Sequence, residues 1–564
     1  LYTHLVAECL DCGHRSSYSP KESICPHCGG GWREARYDYK TIGKKILEEL
    51  PNRPFDIWRF HDLLPIQDPH PVISMGEGGT PLLKATNLGT MLGIPHLYIK
   101  DEHQNPTGSF KDRQASITVT ALKEAGITET VLASTGNVAI SYAAYTSRAG
   151  IKLWAFLTSL VPAEKMREVA IYGTQVIKVT ASYDQTKKLA TEFAEQRQRG
   201  SYLDRGVRSI PALESMKTIA FEISEQLTSA MGADPDNPQV PWRVPDWYIQ
   251  AVSGGLGPVG VLKGFDELRE MGLTDRIPAI AGIQAEGCAP MVHAWKQNLD
   301  VAEPVHSPRT RIATLATGDP GHTYTILRKR MMQSGGGAFE SVTDEEAFRA
   351  IHVLAKMEGL SMEPAAAVAF AGLIKMARSG QIQPTEVVVV NLTGHTMPVE
   401  KIILGEGWAQ DVEIPELPSE MKPEEGLLSA LSRITPKPHA SVAIVDDHPQ
   451  ARRLIRRILQ SQGEYTIFEA SNGREALELA RQEELDVMVL DLMMPEMDGF
   501  SVLDALKADE KTASIAVIVV TAKTLTPDEK ARLRGRIHTL MKKGEFLDED
   551  LVEEINSLLR NGSC

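Results

Sequence analysis

The sequence predicts an α/β chain of several units, and three observations carry that expectation. Short apolar, β-rich runs alternate with longer helical patterns from about residue 97 to 400, the pattern of buried parallel strands covered by helices. The same alternation restarts at residue 441, after a stretch rich in proline and glutamate. Two Cys-x-x-Cys pairs precede both at the amino end. A chain of 564 residues exceeds what one core supports, and ordinary domain sizes give about two to four units.

Composition narrows the function classes. A net charge of -14 argues against a general nucleic-acid surface, which needs clustered Lys and Arg to neutralise phosphates. No stretch reaches the length of uninterrupted apolar residues that spans a bilayer, and the amino end lacks a charged-then-apolar signal pattern. The expectation is a cytoplasmic protein with neither nucleic-acid nor membrane partners.

Residues 1–38 carry Cys9-x-x-Cys12 and Cys25-x-x-Cys28, each pair followed by glycine. Two tight knuckles a dozen residues apart suit one tetrahedral Zn²⁺, because each turn aims two thiolates at the same ion. Four protein ligands leave no open position, so the zinc would be structural. Two disulfides, disfavoured in a reducing compartment, or a ribbon without metal are the alternatives. Cys288 and Cys564 stand apart from this set.

Residues 39–404 form the next unit. A short helix over 39–50 and a Pro-rich connection lead to Gly76-Glu77-Gly78-Gly79-Thr80-Pro81-Leu82 and a strand over 97–100. Asn105-Pro-Thr-Gly-Ser-Phe-Lys-Asp-Arg113 then breaks an extended segment with a turn and opens a helix over 109–121. That places Lys111 in a first helical turn, where the positive end of the dipole disfavours an ammonium. An easily deprotonated amine suits Schiff-base chemistry. Further buried strands are expected over 130–133, 153–157 and 387–390. The four prolines between 233 and 245 read as a surface insertion.

Three junctions in this unit carry chemistry beyond the fold. Ala133-Ser134-Thr135-Gly136-Asn137 lies between a strand end and a helix over 138–149, where free N–H groups can seat a carboxylate or phosphate. Ser253-Gly254-Gly255-Leu256-Gly257-Pro258-Val259-Gly260 lies between a strand over 248–252 and a helix over 261–271. Its glycines let N–H groups converge on an anion, as a dinucleotide fingerprint or mere tight packing also would. No Gly-Lys-Ser/Thr follows, so a Walker-type site is not expected. Asn391-Leu392-Thr393-Gly394-His395 closes the last apolar strand with a hydroxyl that could face a heterocyclic nitrogen or cap a helix.

Taken in order, Gly76 to Leu82, Asn105 to Arg113, Ser134 to Asn137, Glu363-Pro364-Ala365-Ala366-Ala367 and Leu392 to His395 closely resemble the tryptophan-synthase-β-like fold of pyridoxal-phosphate enzymes, and within it the threonine synthases. The resemblance covers about residues 1–405, ribbon included. It implies a two-lobed lyase in which Lys111 carries the cofactor and then moves protons at the substrate's Cα and Cβ. Asn137 would bond the ring hydroxyl, Gly254, Gly255, Leu256 and Gly257 would cradle the cofactor phosphate, and Thr393 would face the pyridine nitrogen. Ser134 and Thr135 would hold the substrate carboxylate. The implied reaction is O-phosphohomoserine plus water to threonine plus phosphate.

The chain departs from the family pattern at two places. Val138 ends the Ser-Thr-Gly-Asn word, and Pro211-Ala212-Leu213-Glu214 stands where an arginine precedes the Lys217-Thr218 pair. A substrate phosphate without a charge-assisted partner loses affinity. Competing expectations are therefore a serine or threonine dehydratase, an O-phosphoserine-using synthase, or a scaffold that binds cofactor without turnover. Amino-acid substrates, phosphorylated or not, are expected, as is a homo-oligomer.

Residues 405–440, rich in Pro and Glu, read as a semi-stiff linker with a short helix over 424–433. Over 441–564, strands over 441–445, 485–490 and 516–520 end in Asp446-Asp447, Asp491 and Thr521, and Lys543 follows a strand over 537–541. Such residues converge at the crevice of a doubly wound, flavodoxin-like sheet, and clustered carboxylates call for a hard cation such as Mg²⁺. With Met494-Pro495-Glu496-Met497-Asp498-Gly499, this unit resembles a response-regulator receiver. By that resemblance Asp491 is the phosphoacceptor, Asp446, Asp447 and Asp491 ligate Mg²⁺, and Thr521 and Lys543 contact the phosphoryl oxygens. The donor would be a sensor histidine kinase or a small phosphodonor, and the receiver would regulate or assemble the attached enzyme. Leu540 occupies the usual place of the switch aromatic.

Overall fold

The computed structural model describes residues 4–67, 72–159, 161–197, 201–237, 239–395, 410–413, 440–462, 465–521, 523, 525–542, 551, 554, 555, 557 and 558. It divides into two units, Leu1–Leu431 and Ser432–Cys564, each with its own core.

The first unit begins with a three-stranded antiparallel sheet in the order Arg15–Ser17, Leu5–Cys9, Arg33–Tyr37. Two lobes follow. One holds a six-stranded sheet in the order Gly337–Val342, Ala279–Ala285, Trp247–Ala251, Val388–Leu392, Leu97–Asp101, Leu82–Lys84, parallel except for the last edge strand. The other holds five parallel strands in the order Gln410–Glu413, Gln175–Thr180, Lys152–Thr158, Glu129–Ser134, Ser201–Leu203. Val388–Leu392 is buried along its whole length, as a two-faced parallel strand must be. The edge strand Gln410–Glu413 falls within the expected linker. The expected helix over 424–433 lies outside the described residues.

Helix Ile210–Ala230 is buried over most of its length and packs against helix Leu256–Glu270. The latter starts five residues before the expected 261, and Gly260 is one reason. A Cβ there would lie 2.5 Å from the Met216 Cβ and 2.7 Å from the Leu213 carbonyl, so only glycine lets the two backbones meet. Pro258 sits in the first turn, where its missing N–H has no intrahelical partner to lose.

Two buried ionic clusters tie helix Ile210–Ala230 to its neighbours. Arg113 Nε donates to Glu102 Oε2 at 2.7 Å, Arg113 Nη1 to Glu222 Oε1 at 2.6 Å, and Lys100 Nζ to Glu222 Oε2 at 2.7 Å. Arg113 lies two residues after Lys111, so this cluster fixes the start of helix Lys111–Glu124 against strand Leu97–Asp101. The second cluster joins Lys217 to Glu214 at 2.5 Å and to Glu267 at 2.9 Å, and Lys263 to Glu214 at 2.9 Å. The ribbon docks on it, since Ala35 N donates to Glu214 Oε1 at 3.0 Å and the Tyr39 hydroxyl to Glu267 Oε1 at 2.9 Å.

One local expectation is corrected and another is refined. The helix expected from 109 starts at Lys111 because Ser109 bridges to Gly394 and Phe110 N donates to Thr393 O at 3.0 Å. The stretch expected as a surface insertion does lie at the surface over most of its described length, with Asp234, Asp236, Asn237, Gln239, Pro241 and Arg243 exposed, and only its end turns inward. Trp242 and Val244 are buried, and Trp242 N donates to Leu273 O at 2.7 Å.

The second unit is a five-stranded parallel sheet in the order Tyr465–Ala470, Ala440–Val445, Val487–Leu490, Ala516–Thr521, Thr539–Lys542. Among the described residues no helix is long and apolar enough to cross a membrane.

Candidate active site

A cavity of about 570 Å³ brings the chemistry-bearing segments of the first unit together. Lys111, Ser134, Thr135, Asn137, the run Gly254 to Gly257 and Thr393 all line it. The Phe110–Thr393 backbone bond described above sets Lys111 beside the end of strand Val388–Leu392. The Lys111 amine lies 4.4 Å from the centre of the Phe110 ring. Burial lowers its pKa to about 8, against the upward pull of Asp204. The direction matches the sequence expectation, with desolvation as the leading cause. Asp204 is itself pushed up to about 6 by burial, while the Tyr142 hydroxyl donates to its Oδ1 at 3.0 Å.

Asn137 opens helix Asn137–Ala149 and is locked by two residues that the sequence reading did not assign. Lys165 Nζ donates to Asn137 Oδ1 at 2.6 Å and to Glu363 Oε2 at 2.5 Å, and Asn137 Nδ2 donates to Glu363 Oε1 at 2.5 Å. Lys165 and Glu363 are buried, so the triangle holds the amide in one orientation. Glu363 lay in plain view in its Glu-Pro-Ala-Ala-Ala word, whereas nothing local marks Lys165. Ser134 Oγ accepts from Gly136 N at 3.0 Å and Ala139 N at 3.3 Å, capping the same helix, while Thr135 faces the cavity.

Across the cavity, helix Leu256–Glu270 presents its N-terminal turn. Gly255 has φ +89°, and a Cβ there would lie 2.4 Å from the Thr323 methyl. Glycine is thus required where free N–H groups face the cavity. An amine of lowered pKa, an oriented amide, a hydroxyl and an N–H cradle around one cavity fit pyridoxal phosphate in the chemistry of each donor.

Ala212 is fully buried on helix Ile210–Ala230 and is not part of the cavity wall, while Val138 is. The cations facing the cavity are instead Lys187, Arg205 and Arg208. Lys187 is paired with Asp184 at 2.6 Å. Arg205 and Arg208 have no carboxylate partner among the described residues. Burial, and after it the neighbouring Arg205, lower the Arg208 pKa. Their Arg-Gly-Val-Arg spacing was the readable signal.

In the ribbon, the sulfurs of Cys9, Cys12, Cys25 and Cys28 all lie within 4.8 Å of one another, with Cys9–Cys28 at 3.6 Å and Cys12–Cys25 at 3.8 Å. Tetrahedral Zn–S bonds of about 2.3 Å give an S–S edge of about 3.8 Å, so the four thiols fit the ion.

In the second unit, Asp446, Asp491 and Thr521 are buried at strand ends. Asp446, Asp447 and His448 bring ligand atoms within 4.8 Å of one another, and Asp491 stands outside that group. His448 Nδ1 lies 2.7 Å from Asp447 Oδ1, a partner the sequence reading missed. Two carboxylates at a strand end suit Mg²⁺, which keeps several waters. Lys543 lies outside the described residues.

The chain matches the family model "Pyridoxal-phosphate dependent enzyme" over residues 73–394 and the model "Response regulator receiver domain" over 442–556. It is 36% identical over 393 residues to the threonine synthase of Methanocaldococcus jannaschii, covering 69% of this chain and 92% of that one. Identity to the threonine synthase of Methanosarcina acetivorans is 35%, covering 69% and 91%. For that of Mycobacterium bovis it is 32%, covering 61% and 88%.

Proposed function

Because the chain belongs to the pyridoxal-phosphate dependent enzymes and carries a response-regulator receiver domain, we propose that it is a lyase of threonine synthase type, converting O-phosphohomoserine and water to threonine and phosphate. The observation that carries this reading is the Lys111 amine, lowered by burial to about 8, in a cavity lined also by Arg205 and Arg208, which have no carboxylate partner among the described residues.

Pyridoxal phosphate, when bound, supplies the electron sink for charge that builds at the substrate's Cα. Lys111 carries it and then acts as the base that moves protons at Cα and Cβ, a task suited to an amine titrating near neutrality. Asn137, held by Lys165 and Glu363, would bond the ring hydroxyl. The backbone of Gly254, Gly255, Leu256 and Gly257 would hold the cofactor phosphate, and the Thr393 hydroxyl would face the pyridine nitrogen. Ser134 and Thr135 hold the substrate carboxylate. Arg205 and Arg208 take the substrate's own phosphate, in place of the arginine whose position Ala212 occupies, and Lys187 adds to the field. Bidentate guanidinium–phosphate pairing supports that assignment.

In the remaining parts, Cys9, Cys12, Cys25 and Cys28 hold a structural zinc in a ribbon spanning 1–38, joined to a catalytic unit that begins at 39 and, beyond the expected end at 404, takes in the edge strand Gln410–Glu413. A linker between that strand and 440 leads to the receiver over 441–564. There Asp491 accepts the phosphoryl group, Asp446 and Asp447 hold Mg²⁺ with Asp491, and Thr521 and Lys543 contact the phosphoryl oxygens. The deciding experiment feeds the purified protein O-phosphohomoserine, O-phosphoserine, serine and threonine. Equal amounts of threonine and phosphate from the first support the reading. Ammonia and oxoacid from serine or threonine, with no phosphate released from the first, overturn it.

A further inference from the structure

The ribbon does more than dock beside the catalytic lobes, because Trp32 lines the same cavity as Lys111. Its ring centre lies 6.0 Å from that of His322, tilted by 33°, and His322 is also a wall residue. Next to it, Gly31 sits over Arg208, and a Cβ built on Gly31 would be 3.6 Å from the Arg208 Cδ. The backbone carrying these residues is held by both cysteine knuckles. Leu10 N, between Cys9 and Cys12, donates to Trp32 O at 2.8 Å, and Cys25 N donates to Gly30 O at 2.8 Å. Gly30 N also points at Cys28 Sγ at 3.4 Å. On its far side the strand Arg33–Tyr37 is fixed by the Ala35–Glu214 bond and by the ion pair of Glu34 with Arg330. The segment from Gly30 to Trp32 is thus suspended between the four thiols and the wall of the cavity.

We infer that the ribbon is a wall of the substrate site, with Trp32 a specificity-determining residue whose position is set by metal held at Cys9, Cys12, Cys25 and Cys28. This rests on the reading of the cavity as an amino-acid site and of the ribbon as metal-bound. Trp32 contributes a large rigid apolar surface to the cavity that Lys111 also lines, and Gly31 packs close to Arg208, which would meet an anionic substrate group. A metal remote from the reacting atoms then controls how tightly substrate is held without touching the chemistry at Lys111.

The test uses the full zinc-loaded, cofactor-loaded chain with Trp32→Ala and Trp32→Phe, and wild type stripped by a chelator, with zinc content measured throughout. With O-phosphohomoserine as the probe, Trp32→Ala keeps its zinc and a near-normal kcat while KM rises about tenfold, and Trp32→Phe recovers most of the loss. Stripping raises KM in wild type and adds little in Trp32→Ala. Separately, acrylamide quenching of the Trp32 emission, taken as wild type minus Trp32→Phe, increases on stripping. An unchanged KM in Trp32→Ala, or quenching indifferent to metal, overturns the inference. If no O-phosphohomoserine is turned over, it is the substrate reading that fails, and the quenching comparison still decides this one.

Discussion

The lowered pKa of Lys111 makes a prediction that can be worked through in numbers. Between the ordinary lysine value of 10.5 and about 8, the neutral fraction at pH 7 rises from about 0.03% to about 10%, roughly 300-fold. Only the neutral amine attacks an aldehyde, so capture of pyridoxal phosphate by the apo protein should climb about tenfold per pH unit and level off near pH 8. Asp204 pulls the Lys111 value upward, so Asp204→Asn should move the shoulder to lower pH. The stability consequence has a definite sign. A folded value below the unfolded one penalises the charged amine, by up to about 3 kcal/mol below pH 8. That cost falls away as pH rises from 8 toward 10.5, so the apo protein gains stability from this group across that window. The assay is stopped-flow absorbance of cofactor capture from pH 6 to 11, with Lys111→Ala as the blank. A shoulder at or above pH 10, or one that Asp204→Asn moves upward, would refute the desolvation argument.

Other outcomes follow from named contacts. Arg205→Ala and Arg208→Ala should each raise KM for O-phosphohomoserine by about tenfold or more, since a charged hydrogen bond is worth about 1.5–3 kcal/mol, and should leave KM for an unphosphorylated analogue little changed. Arg113→Met leaves Glu102 buried without a paired cation, Glu222 keeping only Lys100, and urea denaturation should show a loss of about 3–5 kcal/mol. A loss below about 1 kcal/mol would mean that the carboxylates are relieved by water or protonation. Lys165→Met should leave cofactor bound but weaken its retention on dialysis, because Asn137 and Glu363 lose their common partner. Asp491→Asn should abolish phosphoryl uptake from a small phosphodonor, read as a lost mobility shift on phosphate-affinity gels.

Much of the candidate site was legible because its residues sit at strand ends and helix starts, where local sequence dictates local geometry. Lys111, Asn137 and the run from Gly254 to Gly257 were found that way, as was the order of strands ending in Asp446, Asp491 and Thr521. What stayed hidden depends on pairs far apart in the chain. The bonds from Glu363 reach back 226 residues to Asn137 and 198 to Lys165. Lys165 has no periodicity or motif of its own to announce it. The start of helix Leu256–Glu270 was misplaced because Gly and Pro are local helix breakers, while contact with helix Ile210–Ala230 rewards Gly260 for lacking a side chain. The prolines between 233 and 245 rightly suggested exposure for most of that stretch, and what they did not reveal is the anchoring of Trp242 by a backbone partner thirty-one residues on. Ala212 read as the loss of a phosphate partner. Two other arginines face the cavity instead, a substitution in space that a position-by-position reading does not reveal.

The most direct measurement reduces the pyridoxal-phosphate-loaded protein with borohydride and maps the modified peptide by mass spectrometry. A single adduct on Lys111, lost in Lys111→Ala and prevented when reduction precedes cofactor addition, is the predicted result. Adducts spread over surface lysines, or an unmodified Lys111 in protein that still turns over O-phosphohomoserine, would contradict it.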